Sequence, residues 1–422
     1  MSDLLIRNGR LVDPARKLDR IADVLVRDGK IAAIGGNAAL NVPVFDATGL
    51  IVAPGFLDMH THLREPGTEE AETIATGGAA AVAGGFVAVA AMPNTKPPND
   101  NPSITSYMVA EARRSSPALV FPIGAITLEQ KGEALAEIGE MVEAGAVAIS
   151  DDGKPVMDSQ LFRRALEYAT MFDVPVIQHC EDLNLSRGGS MHEGVYSTRL
   201  GLKGIPSAAE DSIVARDIVL AEMTRSKYHV AHLSTRRAVE MTRQAKARGI
   251  RITAEVTPHH FTLTDAAVAE YDTNAKMNPP LRSADDVAAV REGIADGTID
   301  AIATDHAPHH ANLKMLEFDR APFGITGLET AIGLTFTVLK LPIDHAVRML
   351  SLNPQSILKV TPWGLFETSD AHLTLLDLNR SWKYDVTATQ SKSRNSPFDG
   401  WDFTGKAVAT IVGGRIVYRD TP

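Results

Sequence analysis

The sequence predicts an α/β protein: a closed (β/α)8 barrel of TIM type with a small β-sandwich built from the two chain ends. Three observations carry this. Eight short apolar, β-rich runs alternate with amphipathic stretches through the middle of the chain. Both ends are β-rich and carry tight-turn pairs. Histidines and aspartates gather at the C-terminal tips of the central runs. The expected division is 1–54 for the first part of the sandwich, 55–365 for the barrel and 366–422 for the second part.

In chain order, LLIRNGRLVD and VLVRDGKIAAIG come first, each flanking an Asn-Gly or Asp-Gly pair. Such pairs tolerate the positive φ angles of a two-residue hairpin, so two hairpins are expected. The barrel strands follow: FLDMH, FVAVAAM, LVFPIGAI, AVAIS, PVIQH, YHVAHLS, ITAEVTP and DAIATDH. Between them lie TEEAETIATGGAAAVAGG, ITSYMVAEARRS, LEQKGEALAEIGEMVEAG, SQLFRRALEYATMF, AAEDSIVARDIVLAEMTRS, RRAVEMTRQAKARG and DDVAAVREGIADG. Their apolar residues recur every three or four positions and several end in glycine, as helices do. Eight such units over about 250 residues have the rhythm of a closed parallel barrel. An open, doubly wound sheet is the alternative, but no GxGxxG follows the first strand. AHLTLLDL and VATIVGGRIVY return to the β style, with Gly413 and Gly414 as a turn. Two connections are long, Glu181 to Pro206 and Ala307 to Gly327. Both leave the same end of their strands, which favours function, and the second is expected to act as a lid.

The bulk numbers exclude several classes. A chain of 422 residues suits one large domain and a smaller one. With 44% hydrophobic and 22% charged residues it is an ordinary globular sequence. A net charge of -10 with no Lys/Arg run argues against nucleic acid or an anionic membrane as partner. The opening MSDLLIRNGRLVD lacks the regions of a signal peptide, and GFVAVAAM is too short to cross a bilayer. The single cysteine, Cys180, fits a reducing cytosol and simple packing. A cytoplasmic protein is expected.

The strand tips carry the chemistry. DMHTHLREPG puts His60 and His62 after the first run, and Asp151 and Asp152 follow the fourth. His179 ends the fifth, His232 the sixth and Asp305 the eighth. One buried histidine is more often a satisfied core residue than a ligand. Four at strand ends, with carboxylates, suit zinc or a similar divalent ion. Arg64 offers a fork for a substrate carboxylate, while Glu65 either orients a ligand or caps the loop.

These residues, with MPNTKPPND, SDDGKPV, QHCED, AHLSTRRAVE, EVTPHHFTLTD, NPPLR, ATDHAPHH, APFGITGLETA and SKSRNSPFDGW, resemble the type I dihydroorotase class of the amidohydrolase superfamily over essentially the whole chain. The resemblance implies one or two Zn2+ ions. His60 and His62 would bind one, His179 and His232 the second, and Asp305 would be both ligand and general base. Many amidohydrolases bridge their metals with a lysine at the end of strand four. AVAISDDG has none, and the resemblance points to Asp152 as bridge. Arg64, Asn94, Asn278 and His309 would hold the substrate, with His62 beside it and Phe323 and Gly324 meeting its ring through the backbone. His259, His260, His306 and His310 are expected around the centre or at the surface; His192, His229, His345 and His372 are expected to be structural. His372 stands where relatives carry an aspartate.

The implied activity is the reversible interconversion of N-carbamoyl-L-aspartate and L-dihydroorotate, the third step of pyrimidine biosynthesis. The partners are that small-molecule substrate, other copies of the chain in a homo-oligomer, and aspartate carbamoyltransferase as a candidate complex. Two rivals remain. A hydantoinase or allantoinase would carry the bridging lysine, and a non-catalytic homologue would lack the His pair or the strand-eight aspartate.

Overall fold

The computed structural model describes residues 3–35 and 42–420. Residues 36–41, part of the expected 1–54 segment, and the terminal pairs 1–2 and 421–422 lie outside the described residues. The barrel strands are β1 (Phe56–Thr61), β2 (Phe86–Ala91), β3 (Leu119–Gly124), β4 (Ala148–Ser150), β5 (Val176–Gln178), β6 (Tyr228–Val230), β7 (Ile252–Val256) and β8 (Ala301–Ile302). They pair in parallel in chain order from β1 to β8.

Closure between β1 and β8 is of a different kind. One backbone bridge joins Thr61 to His306, and the His62 N–H donates to the His306 carbonyl at 2.9 Å. Below it Asp58, fully buried, accepts from the Thr304 N–H and hydroxyl. Burial pushes the Asp58 carboxyl up to about 7, against those hydrogen bonds.

Alternation along the strands separates two apolar faces. Ala88 and Ala90 of β2 join Leu57, Met59, Ile123, Ala148 and Ile177, while Val89 and Ala91 join Ile149, Val176, Phe162, Leu166 and Val239, which include residues of the outer helices. Each strand from β1 to β7 is followed by a helix: Ile74–Ala83, Pro102–Ser115, Ile138–Ala144, Ser159–Phe172, Ser207–Thr224, Arg236–Ala247 and Ala284–Ala295. Thr73, Asn101, Asp158, Thr235 and Ser283 cap five of these, each accepting an orphan N–H of the first turn.

The stretch LEQKGEALAEIGEMVEAG is a helix only from Ile138. Upstream, Glu129 and Gln130 have φ of 53° and 51°, and their segment is tied down by carboxylates. Asp100 accepts from the Glu129 N–H, and Asp151 accepts from Ile126 and Thr127. These bonds compete with the helical ladder and win.

Strands from both termini form one mixed sheet of eight. In spatial order it runs Arg415–Arg419, Asp402–Val412, Leu373–Lys383, Ile51–Pro54, Leu4–Asp13, Leu18–Arg27 and Lys30–Ile34, with Val44–Asp46 also pairing on Leu4–Asp13. The termini meet where Leu373–Lys383 runs antiparallel to Ile51–Pro54. Its own core includes Ile6, Leu11, Val24, Phe45, Leu373, Leu375 and Ile411. Asp28-Gly29 and Gly413-Gly414 are hairpin turns with positive φ at both positions.

Asn8-Gly9 is not a hairpin. It is a bulge inside one strand, with Asn8 at φ 61° and its N–H on Asp23 Oδ1. Glycine is required there by close approach, since a Cβ on Gly9 would meet Val52 Cγ2 at 2.5 Å.

Above the barrel mouth the two long connections are folded, not slack. The first holds short helices at Leu183–Ser186 and Val195–Leu200 and a two-stranded sheet of Met191–His192 with Gly204–Ile205. Met191, Val268, Ala275, Leu281 and Phe318 join it to the second in a satellite apolar cluster. Two buried lysines hold the second: Lys276 Nζ donates to the Phe318 and Ala321 carbonyls, and Lys314 Nζ to those of Pro322 and Gly324. Among the described residues no helix is long and apolar enough to cross a membrane.

Candidate metal centre and active site

Asp152 is the hub of the barrel mouth. Its Oδ1 lies 3.3 Å from His60 Nε2, 3.4 Å from His232 Nε2 and 4.0 Å from His179 Nδ1, and its Oδ2 lies 3.4 Å from His62 Nε2. Asp305 Oδ1 is 2.9 Å from His62 Nε2 and 3.5 Å from His60 Nε2. These side chains come from the ends of β1, β4, β5, β6 and β8, and all are buried. Asp151 points away, its carboxylate fully engaged by the Ile126 and Thr127 N–H groups and the Thr127 hydroxyl.

Local backbone explains the aim. The pairing of β1 with β2 slips between Asp58 and Thr61, a bulge at the first histidine. His232 and Asp305 have φ of 31° and 47°, and Arg64 has 61°. Such left-handed backbone costs energy in a non-glycine residue and concentrates at functional sites.

Outer partners fix the ring orientations. His60 Nδ1 meets Glu255 at 2.5 Å, and His62 Nδ1 meets Asn94 Oδ1 at 2.8 Å, so both leave Nε2 for the centre. His179 is turned the other way. Its Nε2 meets Glu181 Oε2 at 2.9 Å, leaving Nδ1 facing His232 Nε2 at 2.9 Å. His60 Nε2 and Asp152 Oδ1 are buried without a hydrogen-bond partner. Orphaned donor atoms of this kind, in a set of four imidazoles and two carboxylates, fit a divalent cation.

Electrostatics agree with a charged centre. Burial pushes Asp152 up, but His60, His232 and His62 outweigh it and hold its carboxyl well below the usual range. Asp305 behaves likewise, burial being overcome by His60 and His62. Glu181, raised by burial and lowered more by His179, is held to about 2. Both carboxylates of the centre therefore stay ionised.

A cleft of about 210 Å³ opens over this centre, lined among others by His62, Arg64, Asn94, Asp152, Gly153, His179, Asn278, Asp305, His309 and Phe323. Arg64 donates from Nε to the Pro308 carbonyl at 3.1 Å, and its Nη2 lies 3.5 Å from His309 Nε2. Among the described residues it makes no ion pair, leaving its fork free for an anion. Asn278 Nδ2 donates to Glu181 Oε2 at 2.9 Å. His309 Nε2 meets the Phe323 carbonyl at 2.7 Å, and burial, with Arg64 nearby, holds its pKa down at about 3. His309 is thus neutral.

Gly324 is not brought to the cleft. Its N–H is bonded to the Lys276 carbonyl, and its own carbonyl to Lys314 and Asn395. A Cβ there would meet the Ala307 carbonyl oxygen at 2.5 Å, so glycine is needed to bring the chain past His309. Glu65 caps, accepting from the Ile74 N–H and the Tyr107 hydroxyl.

A larger cavity, about 600 Å³, lies beside the start of β3 between Val109, Arg113, Pro117 and Glu143. It has no histidine and no convergent acids, so the chemistry belongs to the smaller cleft.

Of the remaining histidines, His306 meets Glu72 at 3.3 Å, and His260 bonds Thr257 and the Pro279 carbonyl. His229 meets the same Glu255 that holds His60, and His372 accepts from the Gly413 N–H. The sequence singled out neither Glu255 nor Glu181 in this role. The signal for Glu255 is a lone acid inside the apolar strand ITAEV, a position that a chain fills with a charge only when it has a partner.

The comparisons with known proteins agree with this geometry. A family model described as dihydro-orotase-like matches residues 49–238. A dihydroorotase of Pelotomaculum thermopropionicum is 55% identical over 423 residues, 99% of each chain. One of Solibacter usitatus is 53% identical, covering 98% of this chain and 97% of the relative. Among solved structures, L-hydantoinase (dihydropyrimidinase) from Arthrobacter aurescens matches with a TM-score of 0.89 at 25% identity, over 99% of this chain and 96% of that one. A dihydropyrimidinase from Brevibacillus agri matches at 0.85 and 21% identity, a likeness of fold alone. Barrel, terminal sheet and the ring of imidazoles and carboxylates define an amidohydrolase-type enzyme. Within that class, the chain belongs to the dihydroorotase family.

Proposed function

We propose that the chain catalyses the reversible cyclisation of N-carbamoyl-L-aspartate to L-dihydroorotate in pyrimidine biosynthesis, on a centre of one or two zinc ions. The observation that supports it most is the convergence of His60, His62, Asp152, His179, His232 and Asp305 beneath an arginine that pairs with no carboxylate among the described residues, in a chain about half identical to dihydroorotases. His60 and His62 would hold one ion, His179 and His232 the other, with Asp152 between them and Asp305 at the first. A divalent ion bound there polarises a carbonyl and makes water acidic enough to attack near neutral pH.

The chain's own residues do the rest. Asp305, held ionised and hydrogen-bonded to His62, takes the proton of the attacking water and returns it to the departing ring nitrogen; ring closure runs these transfers backwards. The Arg64 fork grips the substrate carboxylate, and His309 joins it by turning its one N–H from the Phe323 carbonyl to the substrate. Asn94 and Asn278 each have one amide end engaged by His62 or Glu181, so the substrate meets side chains already oriented. Phe323 walls the ring, and Gly324 lets that wall approach. The long connection from Ala307 to Gly327 excludes water.

The division into 1–54, 55–365 and 366–422 belongs to the same reading. So do a cytoplasmic location, supported by the lone buried thiol of Cys180, and a homo-oligomer, with aspartate carbamoyltransferase as the partner to test by co-sedimentation. Metal quantitation with turnover of dihydroorotate, hydantoin and allantoin tests the whole. Zinc with dihydroorotate turnover, weakened mainly in KM by Arg64→Met, supports it. Turnover of hydantoin or allantoin instead, or of none of the three, overturns it.

A further inference from the structure

Asn395 lies in the segment joining two strands of the terminal sheet, 86 and 88 residues beyond His309 and Ala307, which it bonds, and is buried. Its amide is fully used. Nδ2 donates to the carbonyls of Ala307 and Gly324, each at 3.0 Å, and Oδ1 accepts from the His309 N–H at 3.1 Å. Its backbone carbonyl accepts from the Thr326 N–H at 2.9 Å. Ala307 opens the long connection over the cleft and Gly324 lies three residues before its close, and the amide ties the two together.

Between Ala307 and His309, both bonded by the Asn395 amide, lies Pro308, whose carbonyl accepts from Arg64 Nε. His309 itself sits 3.5 Å from Arg64. Both groups assigned above to the substrate carboxylate therefore hang on a tripeptide held by one amide from the other end of the chain. The segment carrying that amide is braced on the barrel wall. The Ser391 hydroxyl donates to Glu72, the Gln390 N–H donates to Glu329 at 2.9 Å, and the Ser393 hydroxyl donates to the Ala71 carbonyl at 2.7 Å.

An asparagine amide fits this position because two carbonyls need donors and one N–H needs an acceptor. Aspartate would put a charge against two carbonyl oxygens, and alanine would orphan the Ala307 carbonyl and the His309 N–H and leave the Gly324 carbonyl to Lys314 alone. We propose that Asn395 is a positioning residue for the reaction, fixing the Ala307–Pro308–His309 tripeptide and through it the carboxylate clamp of Arg64 and His309. The terminal segment is thereby part of the active site. This rests on the dihydroorotate reading.

The test compares wild type with Asn395→Ala, Asn395→Asp, Asn395→Ser and the control Thr387→Ala at an exposed residue of the same segment that bonds only Asp385, measuring kcat and KM for dihydroorotate, bound metal per chain, and amide exchange across residues 307–327. The Asn395 variants are expected to raise KM about tenfold while kcat changes less than about threefold and bound metal is unchanged. Exchange should quicken across 307–327, and Thr387→Ala should leave KM in place. Because the effect passes through His309, Asn395→Ala added to His309→Ala should cost far less than it does alone. If only the serine variant folds, the same KM readout decides. An unmoved KM, full additivity with His309→Ala, or parallel loss of kcat and metal overturns the proposal. Wild-type protein that does not turn over dihydroorotate sinks the substrate reading instead, and accelerated exchange alone then marks Asn395 as structural.

Discussion

The barrel mouth and the core of the terminal sheet are built on opposite terms. The sheet buries Ile6, Leu11, Val24, Leu373 and Leu375, each satisfied by contact alone. The mouth buries four imidazoles and several carboxylates, leaves His60 Nε2 and Asp152 Oδ1 without partners, and holds Arg64, His232 and Asp305 at positive φ. One region lowers the free energy of the fold; the other raises it and is tolerated because the rest of the barrel over-determines it. Substitutions should therefore separate activity from stability according to the region they strike.

The largest separation is expected at Asp305. Asp305→Ala should cut dihydroorotate turnover about a thousandfold or more while the fold and most of the bound metal are kept. Retained turnover, measured at full metal loading, would remove Asp305 as the base. Next come the neighbours Asp151 and Asp152. Asp152→Asn should weaken metal binding about a hundredfold. Asp151→Asn should leave metal bound and cost about 1–3 kcal/mol of stability through the Ile126 and Thr127 bonds. Metal titration followed by denaturant unfolding distinguishes them, and equal behaviour would erase the contrast.

In the sheet, Leu375→Ala should cost about 2–5 kcal/mol in chemical unfolding and leave kcat per folded molecule unchanged. A fall in kcat there would mean the two regions are mechanically one.

The smallest effect sharpens the boundary between them. Glu329, largely buried where the terminal segment crosses the barrel, is raised by burial from 4.5 to about 7. The native state holds this proton more tightly than the unfolded chain. The resulting stability is full below about pH 4.5 and lost as pH rises through about 7. Glu329→Gln should keep the bonds from Gln390 and Ser391 and remove the loss, with an advantage over wild type on the order of 2 kcal/mol at pH 8 and little at pH 4.5. Melting curves across that range check it; a constant difference would show that Glu329 does not titrate.

Much of this was legible in the sequence, for stated reasons. The barrel strands are apolar on both faces, so runs such as FVAVAA announce themselves. His60, His62, His179, His232 and Asp305 stand at strand tips, where position along the chain maps directly onto position in space. Asn8-Gly9 misled because the dipeptide encodes positive φ, which a bulge and a hairpin share. Only the Val52 side chain beneath Gly9 distinguishes them. The broken helix before Ile138 was hidden because its competitors, Asp100 and Asp151, are distant in sequence. Asn395 stood inside SKSRNSPFDGW, a motif visible as a string, but its partners lie at 307, 309 and 324. Tertiary bonds of that span leave no local periodicity.

The seam between the first and last barrel strands has a consequence for the order in which this protein matures. His60 and His62 emerge early in translation and Asp305 some 240 residues later, and the Asp58 latch has nothing to grip until Thr304 appears. A nascent chain on the ribosome therefore presents five of the six centre side chains before the barrel can close. The complete centre belongs to the finished polypeptide, since a fragment halted before the eighth strand lacks both Asp305 and the Thr304 grip.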